Sequence, residues 1–465
     1  MEATRTRTDA SRTRLDAPRT RPDAPVTAGA AGVTLDGGGD GDGGGDGDGD
    51  GPAPAPAAAV APALPAAAVA PALPAAAVAP ALPVVPAQAG RVEPRPVVTG
   101  LRLSAFGSHR ATTFPLGPVT LFAGPSGSGK SQALAAYEAL AALGSGATLE
   151  EVFADPAARV PDQAVPDAER RRGFRIGCTV DGPAGPVRLD LAVQAEPTLR
   201  IVGERLSQDG QVLLTTALRD PGRPSVQAAW LTGGAVGVTR APLPDDRLGT
   251  ALLPLRVAGA TAGQRRVLAA AEQVVVALRS VFPCDPRSER MRAPVPPGEG
   301  RLLGDCANLA DVLRRTRHEC GTRHALLAGA ARTGCAGPVA GLDVRAPVGG
   351  PVTGVLERGP GRRPTELARL GAGELRFLAL ALVLLTGPGV LAMDPAGELL
   401  AARQALTVLA DGFDRGLDRR QIEELLRLAL LSCGRGHVRL VAAVGEETGA
   451  AARRLPGVTV VDLTP

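Results

Sequence analysis

Apolar residues follow two regimes along this chain, and the change falls near residue 96. Before it there is repetition without helical or strand periodicity. An R-T-R-x-D-A unit closed by Ser or Pro recurs between Arg5 and Pro25, an Asp/Gly tract runs from Asp36 to Gly51, and a P-A-A-A-V-A-P-A-L unit recurs between Pro56 and Leu82. The first unit has heptad length but no apolar a and d positions, so it is not a coiled coil. In the last unit proline recurs too often for a membrane-spanning helix, and an extended spacer is the expected form. Residues 1–95 are therefore read as a disordered low-complexity arm and 96–465 as one folded body.

In the body the pattern predicts definite elements. Pro118–Ala123 is a short buried strand and Gln132–Leu140 an apolar-spaced helix. Residues 170–255 are rich in short strands, and Gln264–Phe282 and Asn308–Ala331 read as helical. Phe377–Leu385 is a continuous apolar helix ended by Gly387-Pro388-Gly389. Val390-Leu391-Ala392-Met393 reads as a buried strand closing on Asp394, and Val438–Val444 and Val458–Leu463 read as further strands. Alternating strands and helices predict an α/β fold with a mainly parallel central sheet, an antiparallel layer and a helical region.

Composition changes this picture at one residue. The chain has a single lysine, Lys130, among arginines, alanines, glycines and prolines that suggest a GC-rich coding bias. Lys130 lies in Gly124-Pro125-Ser126-Gly127-Ser128-Gly129-Lys130-Ser131, a complete G-x-x-x-x-G-K-[ST] phosphate loop between a strand and a helix. With 59 glycines a Gly-rich pattern is cheap, so the strand and helix on either side decide the reading. The loop N–H groups and helix N-terminus would cradle phosphates, Lys130 would bridge them, and the Ser131 hydroxyl would ligate Mg2+. A guanidinium fork does not fit such a cradle, which explains why lysine persists here. The expected cofactors are ATP and Mg2+.

Other chemistries are excluded. After Asp46, Asp48 and Asp50 the twelfth position of a calcium loop is Ala57, not Glu. His318, Cys320 and His324 lack a fourth zinc ligand at standard spacing. Six dispersed cysteines without a C-x-x-C pair, and no basic-then-apolar N-terminus, point to reduced thiols, cytoplasmic residence and no membrane. The arm is net acidic and the body modestly basic, which is compatible with nucleic acid, while one Trp and one Tyr argue against a single-strand stacking platform.

A second constellation follows at Leu370-Gly371-Ala372-Gly373-Glu374-Leu375-Arg376, ahead of the apolar helix and of Asp394, which is read as the magnesium carboxylate at the end of its strand. The order of phosphate loop, long insertion, L-[SG]-x-G-x-x-R, apolar helix and hhhhD strand resembles the ABC-type ATPase heads of the RecF, SMC and OLD group over roughly residues 97–465. Val98–Phe106 is similar to the start of such heads, Arg200–Leu206 to a first-lobe strand ending E-x-L, and Leu302–Leu313, holding the only asparagine, Asn308, to a G-x-N-L stretch of stand-alone members. The resemblance implies a two-lobed P-loop head with the phosphate loop and Asp394 at adjacent strand ends. It also implies an ATP-dependent homodimer in which Gly371 and Gly373 of one head face the γ-phosphate held by the other.

Several positions depart from that pattern. Pro395 stands where the family has a glutamate after the magnesium Asp, leaving Glu398 as the candidate catalytic carboxylate beside Asp394. Gly371 replaces the signature serine, and Gly445-Glu446-Glu447 stands where a switch histidine is expected. No heptads for an SMC arm and no segment long enough for an attached nuclease are present, so DNA or a separate effector protein is the candidate partner. The sequence therefore points to an ATP-binding switch with slow hydrolysis, in DNA maintenance or defence. A non-catalytic ATP-binding scaffold is the alternative. A phosphotransferase or GTPase is a weaker third reading, since no N-K-x-D guanine motif exists.

Overall fold

A computed structural model describes residues 94–234, 236–393 and 404–464, within one contact unit spanning Pro86–Pro465. The body starts with β1 (Val97–Phe106), which buries Val98, Leu101, Leu103 and Phe106 and turns into β2 (His109–Pro115). All five residues of β3 (Val119–Ala123) are buried, as expected for a strand covered on both faces. It leads through the phosphate loop into α1 (Lys130–Gly144). A meander follows: β4 (Arg172–Asp181), β5 (Val187–Glu196), β6 (Arg200–Gln208), β7 (Gln211–Ala217), β8 (Ser225–Leu231) and β9 (Val238–Pro244). With β1 and β2 it forms an eight-stranded antiparallel sheet in the order β2-β1-β4-β5-β6-β7-β8-β9.

Thr261 caps α2 (Ala262–Arg279), its side chain accepting from Gln264 N while Gln264 reaches back to the cap. The chain then makes β10 (Val281–Pro283), α3 (Leu309–Glu319), α4 (Gly321–Gly334) and the small sheet β11 (Gly341–Arg345), β12 (Thr353–Glu357), β13 (Thr365–Glu366). Next come α5 (Ala372–Leu384), β14 (Leu406–Ala410), α6 (Arg419–Cys433), β15 (Val438–Val444), α7 (Glu446–Ala452) and β16 (Val458–Asp462). The second large sheet is parallel throughout, in the order β10-β14-β15-β3-β16.

Two hydrophobic cores meet on this parallel sheet. Phe122, Leu409, Val441 and Ala443 join the core under the antiparallel sheet with Tyr137 and Leu140 of α1. Leu121, Ala123, Val408, Leu440 and Ala442 join the core built on Phe377, Leu378 and Leu380 of α5. Strand alternation sends neighbouring side chains to opposite faces, so the sheet is the common wall of the two lobes.

The structure changes three expected elements. The helix expected over Gln264–Phe282 stops at Arg279, and Phe282 belongs to β10, where it pairs with Val408. The helical stretch Asn308–Ala331 is two helices broken at Cys320. The strand expected from Val390 to Asp394 does not form over its described part: Pro388–Val390 is a 3-10 turn and Leu391 makes only an isolated bridge to Leu302. The Gly-Pro-Gly approach to Val390 favours a turn over strand entry. Asp394, Pro395 and Glu398 lie outside the described residues. The sheet instead takes Leu406–Ala410, a fully buried run that ends at Asp411.

Candidate functional site

The phosphate loop fills the connection from β3 to α1, at the carboxyl end of the parallel sheet where ligands bind in such folds. Gly127 and Gly129 take φ of 85° and 88°, left-handed values that favour glycine. A Cβ on Gly129 would lie 2.5 Å from Ser108 Oγ and 2.7 Å from His109 Nε2, so the β1–β2 turn closes against the loop. Gln132 ties the same turn to α1, its Oε1 accepting from Ser108 N at 2.7 Å and Ser108 Oγ at 2.9 Å. The His109 ring nitrogen lies 3.0 Å from Gly129 O, and the ring packs edge-on against Phe114.

Lys130 Nζ donates to Gly124 O at 2.8 Å and Pro125 O at 2.7 Å, folding back over the loop's own carbonyls. Ser128 Oγ is buried without a hydrogen-bond partner. A donor set of Lys130, loop N–H groups and an unsatisfied Ser128 hydroxyl fits a phosphate group. Ser131 Oγ donates to Asp411 Oδ1 at 3.0 Å, which joins the start of α1 to the end of β14. A hydroxyl and a carboxylate in that contact are hard oxygen ligands of the kind that hold Mg2+ beside phosphates.

Asp411 is thus the carboxylate that the structure brings to Ser131, while Asp394, the carboxylate expected there, lies outside the described residues. β15 lies between β14 and β3, so the strand that leads to Asp411 is one strand removed from the one that leads to the phosphate loop. The signal for Asp411 was present in Leu406-Thr407-Val408-Leu409-Ala410-Asp411-Gly412, an apolar run ended by an Asp-Gly turn. Val390–Asp394 is another apolar run ended by an aspartate, so the pattern alone does not single out Asp411.

Arg376 of α5 organises the side of the site next to β10. Its Nη1 donates to Asp285 Oδ1 at 3.1 Å and Pro286 O at 2.8 Å, and its Nη2 to Asp411 O at 3.1 Å and Gly412 O at 2.8 Å. One planar guanidinium therefore couples the helix after the signature segment to the backbone carrying Asp411. Beside it lies a cleft of about 540 Å³ lined by Leu134, Glu138, Cys284, Asp285, Asp305 and Asp411 among others. Burial pushes the Glu138 carboxyl above its ordinary range, with Arg159 opposing.

In the signature segment Gly371 and Ala372 are exposed at the start of α5, and Glu374 Oε2 accepts from Gly371 N at 2.9 Å. Gly373 is required within its own chain, because a Cβ there would lie 2.3 Å from Gly416 O. At the end of β15 Gly445 donates its N–H to Asp414 Oδ2 at 2.9 Å, and His437 lies at the other end of that strand. The described residues contain no group of three metal-ligating side chains, and none of their helices is long and apolar enough to cross a membrane.

No protein-family model matches the sequence, and no curated protein matches it. Solved structures that the fold is similar to include an SMC head domain from Thermotoga maritima, at 13% identity and TM-score 0.38, covering 79% of this chain and 95% of that one. A second is an SmcHead bound to the C-winged helix domain of ScpA, at 12% identity and TM-score 0.41, covering 75% and 90%. A third is an Smc head domain with an extended coiled coil bound to the C-terminal domain of ScpA derived from Pyrococcus furiosus, at 10% identity and TM-score 0.38, covering 77% and 91%. The body is an α/β fold in which the phosphate loop leaves an interior strand of a parallel sheet, with an antiparallel sheet packed on one side and a helical region on the other.

Proposed function

We propose that this chain is a cytoplasmic ATP-binding switch, similar in design to RecF- and OLD-type heads, that self-associates on ATP and hydrolyses it slowly. The observation that carries the reading is the Ser131–Asp411 contact at the mouth of a complete phosphate loop. Lys130 exchanges its bonds to Gly124 O and Pro125 O for phosphate oxygens, and the loop N–H groups orient the chain of phosphates. Ser131 and Asp411 would hold magnesium, which would supply charge neutralisation to the phosphates. The exposed start of α5, at Gly371 and Ala372, offers backbone donors to a nucleotide held by a second copy. Binding of ATP to the dimer alone would make nucleotide the switch, with duplex DNA or a separate effector as the reader.

The test is steady-state phosphate release by the wild-type chain and Lys130→Ala, with and without duplex DNA. Release that depends on Lys130 supports the switch; its absence despite tight ATP binding supports a non-catalytic scaffold. That second reading draws on Gly412, which follows Asp411 where the family's glutamate would stand, and on Gly371 and Gly445 at positions where the family has polar groups.

A further inference from the structure

The heads this chain resembles usually place a water-polarising glutamate directly after the magnesium aspartate, and the residue after Asp411 cannot supply one. Gly412 has no side chain and takes φ of 58°, a left-handed value that disfavours any residue with a Cβ. Its carbonyl is engaged by Arg376 at 2.8 Å, which fixes the turn. The turn sends Phe413 into the core, where its N–H donates to Ala443 O at 2.9 Å, and delivers the next residue, Asp414, to the end of β15. There Asp414 Oδ2 accepts from Gly445 N at 2.9 Å, while Oδ1 takes no hydrogen bond among the described residues.

The place matters because of strand order. β15 is the strand between β14, which is followed by Asp411, and β3, which is followed by the phosphate loop. Val444 pairs with Ala123, so Gly445 stands beside Gly124 at the carboxyl edge of the sheet. A carboxylate tethered to Gly445 therefore sits between the magnesium pair and the phosphate cradle, with one oxygen uncommitted.

We propose that Asp414 is the catalytic carboxylate of this chain, taking the role that the usual position after Asp411 cannot fill. The proposal rests on the ATP-switch reading above. Asp414 Oδ1 accepts a proton from water, the water oxygen forms its bond to the γ-phosphorus, and the bond to the bridging oxygen breaks with its electron pair leaving on ADP. The products are ADP and inorganic phosphate, with the proton released from Asp414 to solvent.

Asp414→Asn in the full chain tests this, because the amide oxygen keeps the acceptor for Gly445 N while losing the basic site. Magnesium-ATP affinity is expected within about threefold of wild type, while turnover falls about 10²–10⁴-fold. Nucleotide recovered from the variant after incubation is expected to be ATP rather than ADP, and Asp414→Glu is expected to restore part of the rate. Unchanged turnover in Asp414→Asn, or a comparable loss confined to Glu398→Gln, overturns the proposal. A wild-type chain that binds ATP without hydrolysing it also overturns it and leaves the scaffold standing. A wild-type chain with no ATP affinity overturns the nucleotide reading itself.

Discussion

Ser131 Oγ and Asp411 Oδ1 lie 3.0 Å apart although 280 positions separate them in the chain. Sequence alone put the magnesium carboxylate at Asp394, and the two choices predict different losses. Asp411→Asn is expected to weaken magnesium-dependent ATP binding by at least about tenfold, or ~1.4 kcal/mol. Asp394→Asn is expected to stay near wild type. Titration of ATP with and without Mg2+ checks both, and the reverse ranking would return the role to Asp394.

Lys130→Ala removes two bonds to loop carbonyls but no core contact. The variant should keep its circular-dichroism spectrum and melting temperature while calorimetry detects no ATP binding. Retained affinity in a folded variant would reject the phosphate-loop assignment.

Arg376 is a buried cation whose four hydrogen bonds join α5 to the turns after β10 and β14. Arg376→Ala removes the guanidinium donors to Pro286 O, Asp411 O and Asp285 and one of the two donors to Gly412 O, which keeps Arg415 N, at an expected cost of about 2–4 kcal/mol. Arg376→Lys should recover little, since one ammonium cannot span both turns. Denaturant unfolding of the two variants measures the difference; a neutral alanine variant would refute the coupling.

Self-association is best probed at Ala372 rather than Gly373. Any side chain at Gly373 would meet Gly416 O, so a dimer lost there reports misfolding. Ala372 is exposed in the first turn of α5, where an added carboxylate suits the helix but repels a phosphate. Sedimentation of Asp414→Asn with magnesium-ATP should show dimers, and Ala372→Asp in that background should leave monomers.

Glu204 is fully buried between β6 and the turn at Gly249–Thr250, accepting from Gly249 N and Thr250 N at 2.7 Å each. Burial raises its carboxyl above the ordinary value, with bonds from Thr250 and Gly249 opposing. Its contribution to stability is therefore full below the unfolded carboxylate value near ~4.3 and declines as pH rises through the raised folded value. The melting-temperature advantage of wild type over Glu204→Gln should shrink from pH 4 to pH 8. An advantage that grows with pH would contradict the burial argument.

The parts of this site readable from sequence are those whose chemistry is local. A strand, a Gly-rich loop and a helix around Lys130 are specified within a dozen or so neighbouring residues, and each local choice agrees with the others. Asp411 is different, because Leu406–Asp411 and Val390–Asp394 carry the same apolar-then-acid pattern. What selects between them is pairing with β10 and β15, a non-local event. Arg376 was visible as a motif letter, but its role depends on carbonyls that only the folded turns bring to it. Asp414 was hidden behind the left-handed turn at Gly412, whose φ is set by tertiary contacts as well as by the lack of a side chain. The break of the helical stretch at Cys320 likewise follows from packing α3 and α4 against one small sheet, which no periodicity encodes.

The Lys130 ammonium, held between two loop carbonyls, is the sole side-chain amine in the chain. Acetylation, methylation and ubiquitin-type conjugation at a lysine therefore converge on one atom, and that atom is the one a phosphate must reach. If nucleotide occupies the loop as proposed, a tag on this amine and a bound phosphate would compete for the same atom, and regulation by lysine marks would exclude nucleotide occupancy.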